Sequence, residues 1–282
     1  MVASETILQA WAVPAWFSES PFDHTWVTDF DNRTAPYPTI ADVVAAGKNN
    51  WFCWGDFHPN GGAPDLPDGS LGSIAADMKI ATCLVEPNVV TIGNPPAQGT
   101  IFHYGVDGVC HQLANQVLWS SVASNGGPLT VNQARGYEIS NWLFGTYGRL
   151  DTQWQDKIHG CSPTLASAGA LPQPMKPLFA DDEFERHARR VLASPEAADR
   201  LQQVLALRGT ARQTAESMRA RLAAAPALIP PSGAELNAHY NEMLRQAAEI
   251  LTAHEYVALF KVKPGEIVNM VDPSMVPKTA LG

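Results

Sequence analysis

The chain has 282 residues, 45% of them hydrophobic and 17% charged, which is enough apolar material for one large core or two smaller ones and too much for a disordered chain. A net charge of −9 argues against a nucleic-acid or anionic-membrane partner, because such a surface repels phosphates. Four cysteines in this length form no disulfide framework, and no apolar window reaches the roughly 18 residues that read as a membrane span.

The charge is unevenly placed. Residues 1–165 hold 6 Lys+Arg against 15 Asp+Glu, and the remainder holds 13 of each. The acidic part suits a neutral or cationic substrate. The N-terminus lacks a basic segment followed by an apolar one, so no classical secretory signal is expected. A cytoplasmic location with reduced thiols is the expectation, with non-classical secretion as the alternative.

In chain order, residues 7–14 read as a first strand ending at Pro14. Residues 24–30 form the clearest strand, rich in β-branched and aromatic side chains, with His24, Trp26, Thr28 and Phe30 on one face. Ile40–Ala46 suits a short helix. Asn50–Phe57 is a second strong strand, stopped by the turn residues from His58 to Pro64. Ile74–Val85 fits helix or strand, and Val89–Ile92 and Thr100–Tyr104 fit short strands.

Tyr104–Leu118 then reads as a tight loop opening into a helix over about 108–122. Asp107 suits the N-cap, and Val109, Leu113, Ala114, Val117 and Leu118 follow helical spacing. Asn125-Gly-Gly-Pro ends that helix. Thr130 with Gln133 has capping-box spacing for a helix over 131–144, stopped by Gly145.

The composition changes after about residue 162. Residues 163–181 are rich in Ser, Ala and Pro and read as a linker. Residues 182–282 read as a helical domain. Asp182 caps its first helix, a break falls near Ser194-Pro195, and a long helix covers about 196–224. Ser232 with Glu235 forms a capping box for a helix running to about Phe260. The apolar tail after Pro264 either packs back or is loose. These helices offer a surface for homo-oligomerisation or a lid.

The chemistry centres on Cys110. A thiol in the first turn of a helix sits at the positive end of its dipole, which favours the thiolate. A cysteine nucleophile needs a base within reach and a partner that orients the base. His24 is the leading base, on a strand at the end where loops cluster. His58 lies just past the second strand. His111 points about 100° away from Cys110 around the helix, so it reads as a substrate contact or a support rather than the base. His187, His239 and His254 read as exposed helix residues.

Other chemistries fit less well. Cys53, His58, His103, Cys110 and His111 are metal-ligand types, but without a familiar zinc spacing, so no metal or other cofactor is expected. The P-loop, the Rossmann turn and the Gly-x-Ser-x-Gly elbow are all missing. A non-catalytic binding module is the remaining rival, with the eight tryptophans lining a core or an aromatic site.

His24-Thr-Trp-Val on a strand, followed 86 residues later by Gly108-Val-Cys-His-Gln opening a helix, resembles the circularly permuted papain-like and NlpC/P60 superfamily. That group includes the lecithin:retinol acyltransferase-like proteins. The resemblance covers roughly residues 5–150. It implies an α+β fold: an antiparallel sheet packed on a cysteine-bearing helix, here in residues 1–162 and followed by the helical domain. It implies Cys110 as nucleophile, His24 as base, and a third polar residue on the strand 50–58, either Asp56 or His58. The Cys110 backbone N–H would serve an oxyanion hole, with Tyr104, His111 and Gln112 as oxyanion or substrate contacts. The expected activity is that of a thiol protease or amidase acting on a peptide or small-molecule amide through an acyl-enzyme. An acyltransferase using the same dyad is the alternative.

Overall fold

The computed structural model describes residues 5–6, 9–15, 21–28, 51–52, 73–76, 81–82, 105–118, 130–148, 182–224 and 231–274. Strand β2 (Gln9–Pro14) pairs antiparallel with β3 (Asp23–Thr28), setting Trp11 opposite Trp26 and Val13 opposite His24. β4 (Trp51–Phe52) joins the far edge of β3, and β5 (Ser73–Ala76) joins β2, giving the order β4-β3-β2-β5. A separate pair joins β1 (Glu5–Thr6) to β6 (Ala81–Thr82). The mixed sheet-and-helix content agrees with an α+β class.

Ala10, Trp11 and Ala12 are all buried. Successive strand residues point to opposite faces, so both faces of the sheet are covered at β2. On one face β3 carries helix α1 (Cys110–Leu118). Residues 105–115 are buried without exception, polar ones included. The helix is thus a core element rather than a half-exposed amphipathic one.

Helix α2 (Tyr137–Phe144) begins later than the Thr130–Gln133 spacing predicts. Residues 131–136 form turns instead, and the Thr130 hydroxyl donates to Glu183 rather than capping a helix. Gly136 takes φ +78° at the start of α2, and any Cβ there would overlap the Phe22 ring. The end at Gly145 is as expected.

The later helices are α3 (Glu183–Val191), α4 (Ala198–Ala224), α5 (Gly233–Ile250) and α6 (Ala253–Phe260). Asp182 caps α3, and Ser232 with Glu235 makes the expected capping box on α5. The single helix expected from Ser232 to Phe260 is broken at Leu251. A second capping box, Thr252 with Glu255, starts α6 there and redirects Tyr256, Leu259 and Phe260 into the core. The tail packs back: Val268, Met270 and Val271 are fully buried. Asn237 and Asn241 on α5 bond its backbone, Asn237 reaching Met270 and Val271 and Asn241 reaching Val268.

The expected linker, residues 163–181, lies outside the described residues, as do the expected helix at 40–46 and the strands at 89–92 and 100–104. The helices on either side of that linker share buried side chains. Trp142 of α2 lies 5.0 Å from the Phe260 ring and 6.4 Å from that of Phe184. Arg208 of α4, 4% exposed, donates through Nε to Trp142 O (2.7 Å) and through Nη2 to Asn141 O (3.1 Å). Its third nitrogen pairs with Asp182. It thereby answers Trp142 O near the end of α2 and shares Asn141 O with the Gly145 N–H, which lies 2.8 Å away. His187 and His239 are half-buried, and His254 is exposed. No helix among the described residues is long and apolar enough to cross a membrane.

Replacing Arg208 with Met removes the cation but keeps a side chain of similar reach. Trp142 O then loses its donor, while Asn141 O keeps the Gly145 N–H and Asp182 keeps Arg212 and the Glu185 N–H, at a cost of about 2 kcal/mol. Urea unfolding at neutral pH measures this, and a change below about 0.5 kcal/mol would contradict the capping role.

Candidate functional site

Cys110 is the first helical residue of α1. Asp107 was the expected cap but lies too early for it. Its carboxylate is fully buried and accepts from Arg219 of α4 at 3.3 Å. The helix start is held instead by Gln112, whose Oε1 accepts the Val109 N–H at 3.1 Å. This is the returning half of a capping box, three residues into the turn. Upstream, Gly105 has φ +78° and donates its N–H to Gly108 O at 2.7 Å. A Cβ there would lie 2.7 Å from Leu236 Cδ1. The Tyr240 hydroxyl donates to Gly105 O.

The Cys110 thiol is 1% exposed, and its Sγ donates to the backbone oxygen of Asp23 at 3.8 Å. Asp23 opens β3, and the next residue is His24. Phe22 stacks on the His111 ring of α1, centroids 4.5 Å apart. Residues two apart on an extended chain share a face, so His24 points to the α1 side of the sheet as Phe22 does. His24 is 6% exposed. Burial, followed by the nearby His111, pushes its imidazole down to about 3, so it is neutral at ordinary pH. The same burial that keeps the imidazole neutral makes it a weaker base than a solvated one.

His111 is fully buried and engages both ring nitrogens. Nε2 lies 2.9 Å from Asp23 O, and Nδ1 lies 2.8 Å from Ser140 Oγ of α2. A carbonyl only accepts, so Nε2 carries the hydrogen, and Nδ1 shares the single Ser140 hydroxyl hydrogen with Tyr137 O, which lies 3.0 Å from Ser140 Oγ. Burial holds the ring down at about 4, outweighing the opposing pull of the Asp23 carbonyl and carboxylate. Both nitrogens are thus engaged within the fold, one with β3 and one with α2.

Gln112 is engaged in the same way. Its Oε1 accepts from Val109, and its Nε2 donates to Ser140 Oγ (3.3 Å) and Gly145 O (3.1 Å), which ties α1 to α2. Asp56, His58 and Tyr104, expected as the orienting residue and an oxyanion contact, lie outside the described residues.

Several supporting residues went unnoticed in the sequence. The Asp23 carboxylate accepts the Arg135 backbone N–H at 2.9 Å and its guanidinium at 2.7 and 2.8 Å, tying β3 to the turn before α2. Asn115 accepts from Val131 N (2.9 Å) and donates to Thr146 O (2.7 Å) and the Tyr137 hydroxyl (3.2 Å). Tyr137 donates in turn to Glu183 at 2.8 Å. The available signal was His111, Gln112 and Asn115 set among the core residues Cys110, Leu113 and Ala114 of the helix. Polar groups on a core helix require facing partners. Next to this network, burial and Glu183 raise the Glu138 carboxyl to about 7. Among the described residues no three His, Cys, Asp or Glu side chains converge as metal ligands, while Cys53, His58 and His103 lie outside them.

The depressed imidazoles of His24 and His111 make stability pH-dependent, and His187, lowered by burial and by Lys261, adds to the same trend. His24 and His111 are neutral in the fold down to about 3 or 4, whereas the unfolded chain takes up protons below about 6.5. Their contribution is fully present above pH 6.5 and is lost as the pH falls toward 3. Glu138 acts with the opposite sign, since its raised carboxyl favours the fold on acidification between about 7 and 4.5. In a Glu138→Gln background, lowering the pH from 7.5 to 5 is expected to cost about 2 kcal/mol each for His24 and His111. Urea titrations at the two pH values measure it, and a flat profile would show that the imidazoles are not held neutral.

Comparison with protein-family models, with curated proteins and with solved structures finds no match to this chain.

Proposed function

We propose that the chain is a cysteine-dependent hydrolase acting on an amide or peptide bond, with Cys110 as nucleophile and His24 as its base. The observation that carries this is the Cys110 Sγ resting 3.8 Å from the Asp23 oxygen, at the residue preceding a buried neutral histidine on the helix-facing side of β3. The helix N-terminus favours negative charge at Cys110, and the imidazole supplies the base a thiol needs. His24 takes the Sγ proton as sulfur attacks the acyl carbon. It returns that proton to the leaving amine as the carbon–nitrogen bond breaks. Water, deprotonated by the same imidazole, then cleaves the thioester and releases the acid.

The cysteine-bearing helix on an antiparallel sheet, with histidine earlier in the chain, supports a permuted papain-like or NlpC/P60-like catalytic domain. In that arrangement Asp56 or His58 orients His24, and the Cys110 N–H with Tyr104 forms the oxyanion hole. A bound amine or alcohol in place of water would make the same dyad an acyltransferase. The acidic balance of residues 1–165 favours a neutral or cationic amide over a lipid surface. Reduced thiols and a cytoplasmic location accord with a free catalytic cysteine.

The test is a panel of amide and ester acyl donors screened for acyl-enzyme formation by intact-mass spectrometry. A donor turned over by the wild type should lose at least about a thousandfold in rate with Cys110→Ala, and about a hundredfold or more with His24→Ala. The trapped acyl mass should map to the peptide carrying Cys110. Full activity in the Cys110→Ala variant would refute the mechanism.

A further inference from the structure

We infer that His111 is a positioning residue for the Cys110–His24 pair, acting through its hydrogen bond to the Asp23 carbonyl. The role rests on the proposed pairing of Cys110 with His24. Asp23 O receives two donors, the Cys110 thiol at 3.8 Å and His111 Nε2 at 2.9 Å. The imidazole is the shorter and better donor. It therefore fixes where that oxygen sits, and with it the peptide joining Asp23 to His24.

His111 is itself held on three sides. Ser140 lies 2.8 Å from Nδ1, the Phe22 ring stacks on one face, and Tyr137 lies 5.9 Å away across the tilted edge. The serine receives Gln112 Nε2 at 3.3 Å, which completes a chain from Gln112 through Ser140 and His111 to Asp23 O. Every member is fully buried except Asp23, which is 7% exposed. A buried hydrogen-bonded chain of this kind, anchored at Ser140 also by Tyr137 O at 3.0 Å, favours one arrangement of its backbone supports. Here the supports are the first turn of α1 and the start of β3, the two places that carry the thiol and the base. The ionisable groups facing His111 are Asp23, neutralised by Arg135, together with His24 and Tyr137.

His111→Gln and His111→Asn separate positioning from mere filling. A glutamine amide places a nitrogen near the Nε2 position and keeps a donor for Asp23 O. An asparagine amide reaches only the Nδ1 position and keeps only the Ser140 side. The measurement is the pH dependence, from 5 to 9, of iodoacetamide alkylation at Cys110, followed by peptide mapping on variants shown to be folded by circular dichroism. Glutamine should stay within about threefold of wild type. Asparagine should react about tenfold to a hundredfold more slowly, with its profile moved toward that of an isolated thiol. Ser140→Ala should fall between the two. Equal rates and profiles for the glutamine and asparagine variants would overturn the role.

His24→Gln separates this failure from failure of the proposed function. If it shifts the profile while the two His111 variants behave alike, the pair stands and the positioning role is lost. If His24→Gln leaves the profile unchanged, or wild-type Cys110 does not react, the pairing fails and the role with it.

Discussion

The backbone oxygen of Asp23 is the point through which the sheet and the cysteine helix are registered to each other. Its availability follows from the strand ladder. Ala15 donates to Phe22 O, and hydrogen-bonded positions alternate along an antiparallel pair. The backbone groups of Asp23 therefore face away from β2, toward the other edge of β3. Within the described residues β4 pairs only with Val27 and Thr28, too far along to reach them. A buried N–H and C=O must find partners elsewhere. The N–H donates to Arg135 O at 3.0 Å, and the carbonyl takes His111 and the Cys110 thiol. The end of the strand pairing thus becomes the docking point of the helix.

This constraint accounts for the polar character of α1. An apolar helix on a sheet can slide or rotate by small steps at little cost, since burial depends on area rather than direction. His111, Gln112 and Asn115 remove that freedom. Each has hydrogen-bond partners at fixed places on β3, on α2 or on the turn before α2, and displacement would leave buried donors and acceptors open, at roughly 1–3 kcal/mol for each. The apolar neighbours Val109, Leu113 and Ala114 supply burial, and the polar ones supply position.

The legible parts of the fold were those with local signals. Strands β2 and β3 followed from β-branched and aromatic runs, and the α5 cap from Ser232 and Glu235. Cys110 and His24 stood out because their residue types carry chemistry wherever they lie. The errors came from signals that compete or act at a distance. Thr130 had a capping spacing, but Glu183, more than fifty residues on, takes its hydroxyl. Thr252 and Glu255 had the same spacing inside a helical pattern, and there the local signal prevailed over periodicity. Gln112 was expected among the oxyanion or substrate contacts, and its carboxamide partners come from α2 and its end. No one-dimensional pattern places Ser140 or Gly145 beside it.

The helices after residue 182 belong to the same physical problem. Ser140 lies on α2, whose last carbonyls are answered by Arg208 from α4. The loop leading to Cys110 is held by Tyr240 of α5 at Gly105 and by Arg219 of α4 at Asp107. Asp107 is fully buried, and a lone carboxylate there would be costly without its cation. The uneven charge of the chain takes on a structural meaning through these contacts. The acidic first part contributes Asp107 at the core of the cysteine loop, and the balanced later part returns the arginine that neutralises it. The large apolar side chains left exposed among the described residues are Val257 and Ile267, so the helices turn their apolar faces inward to this shared core. They act on the site as its frame, fixing the loop from one side while His111 fixes the strand from the other.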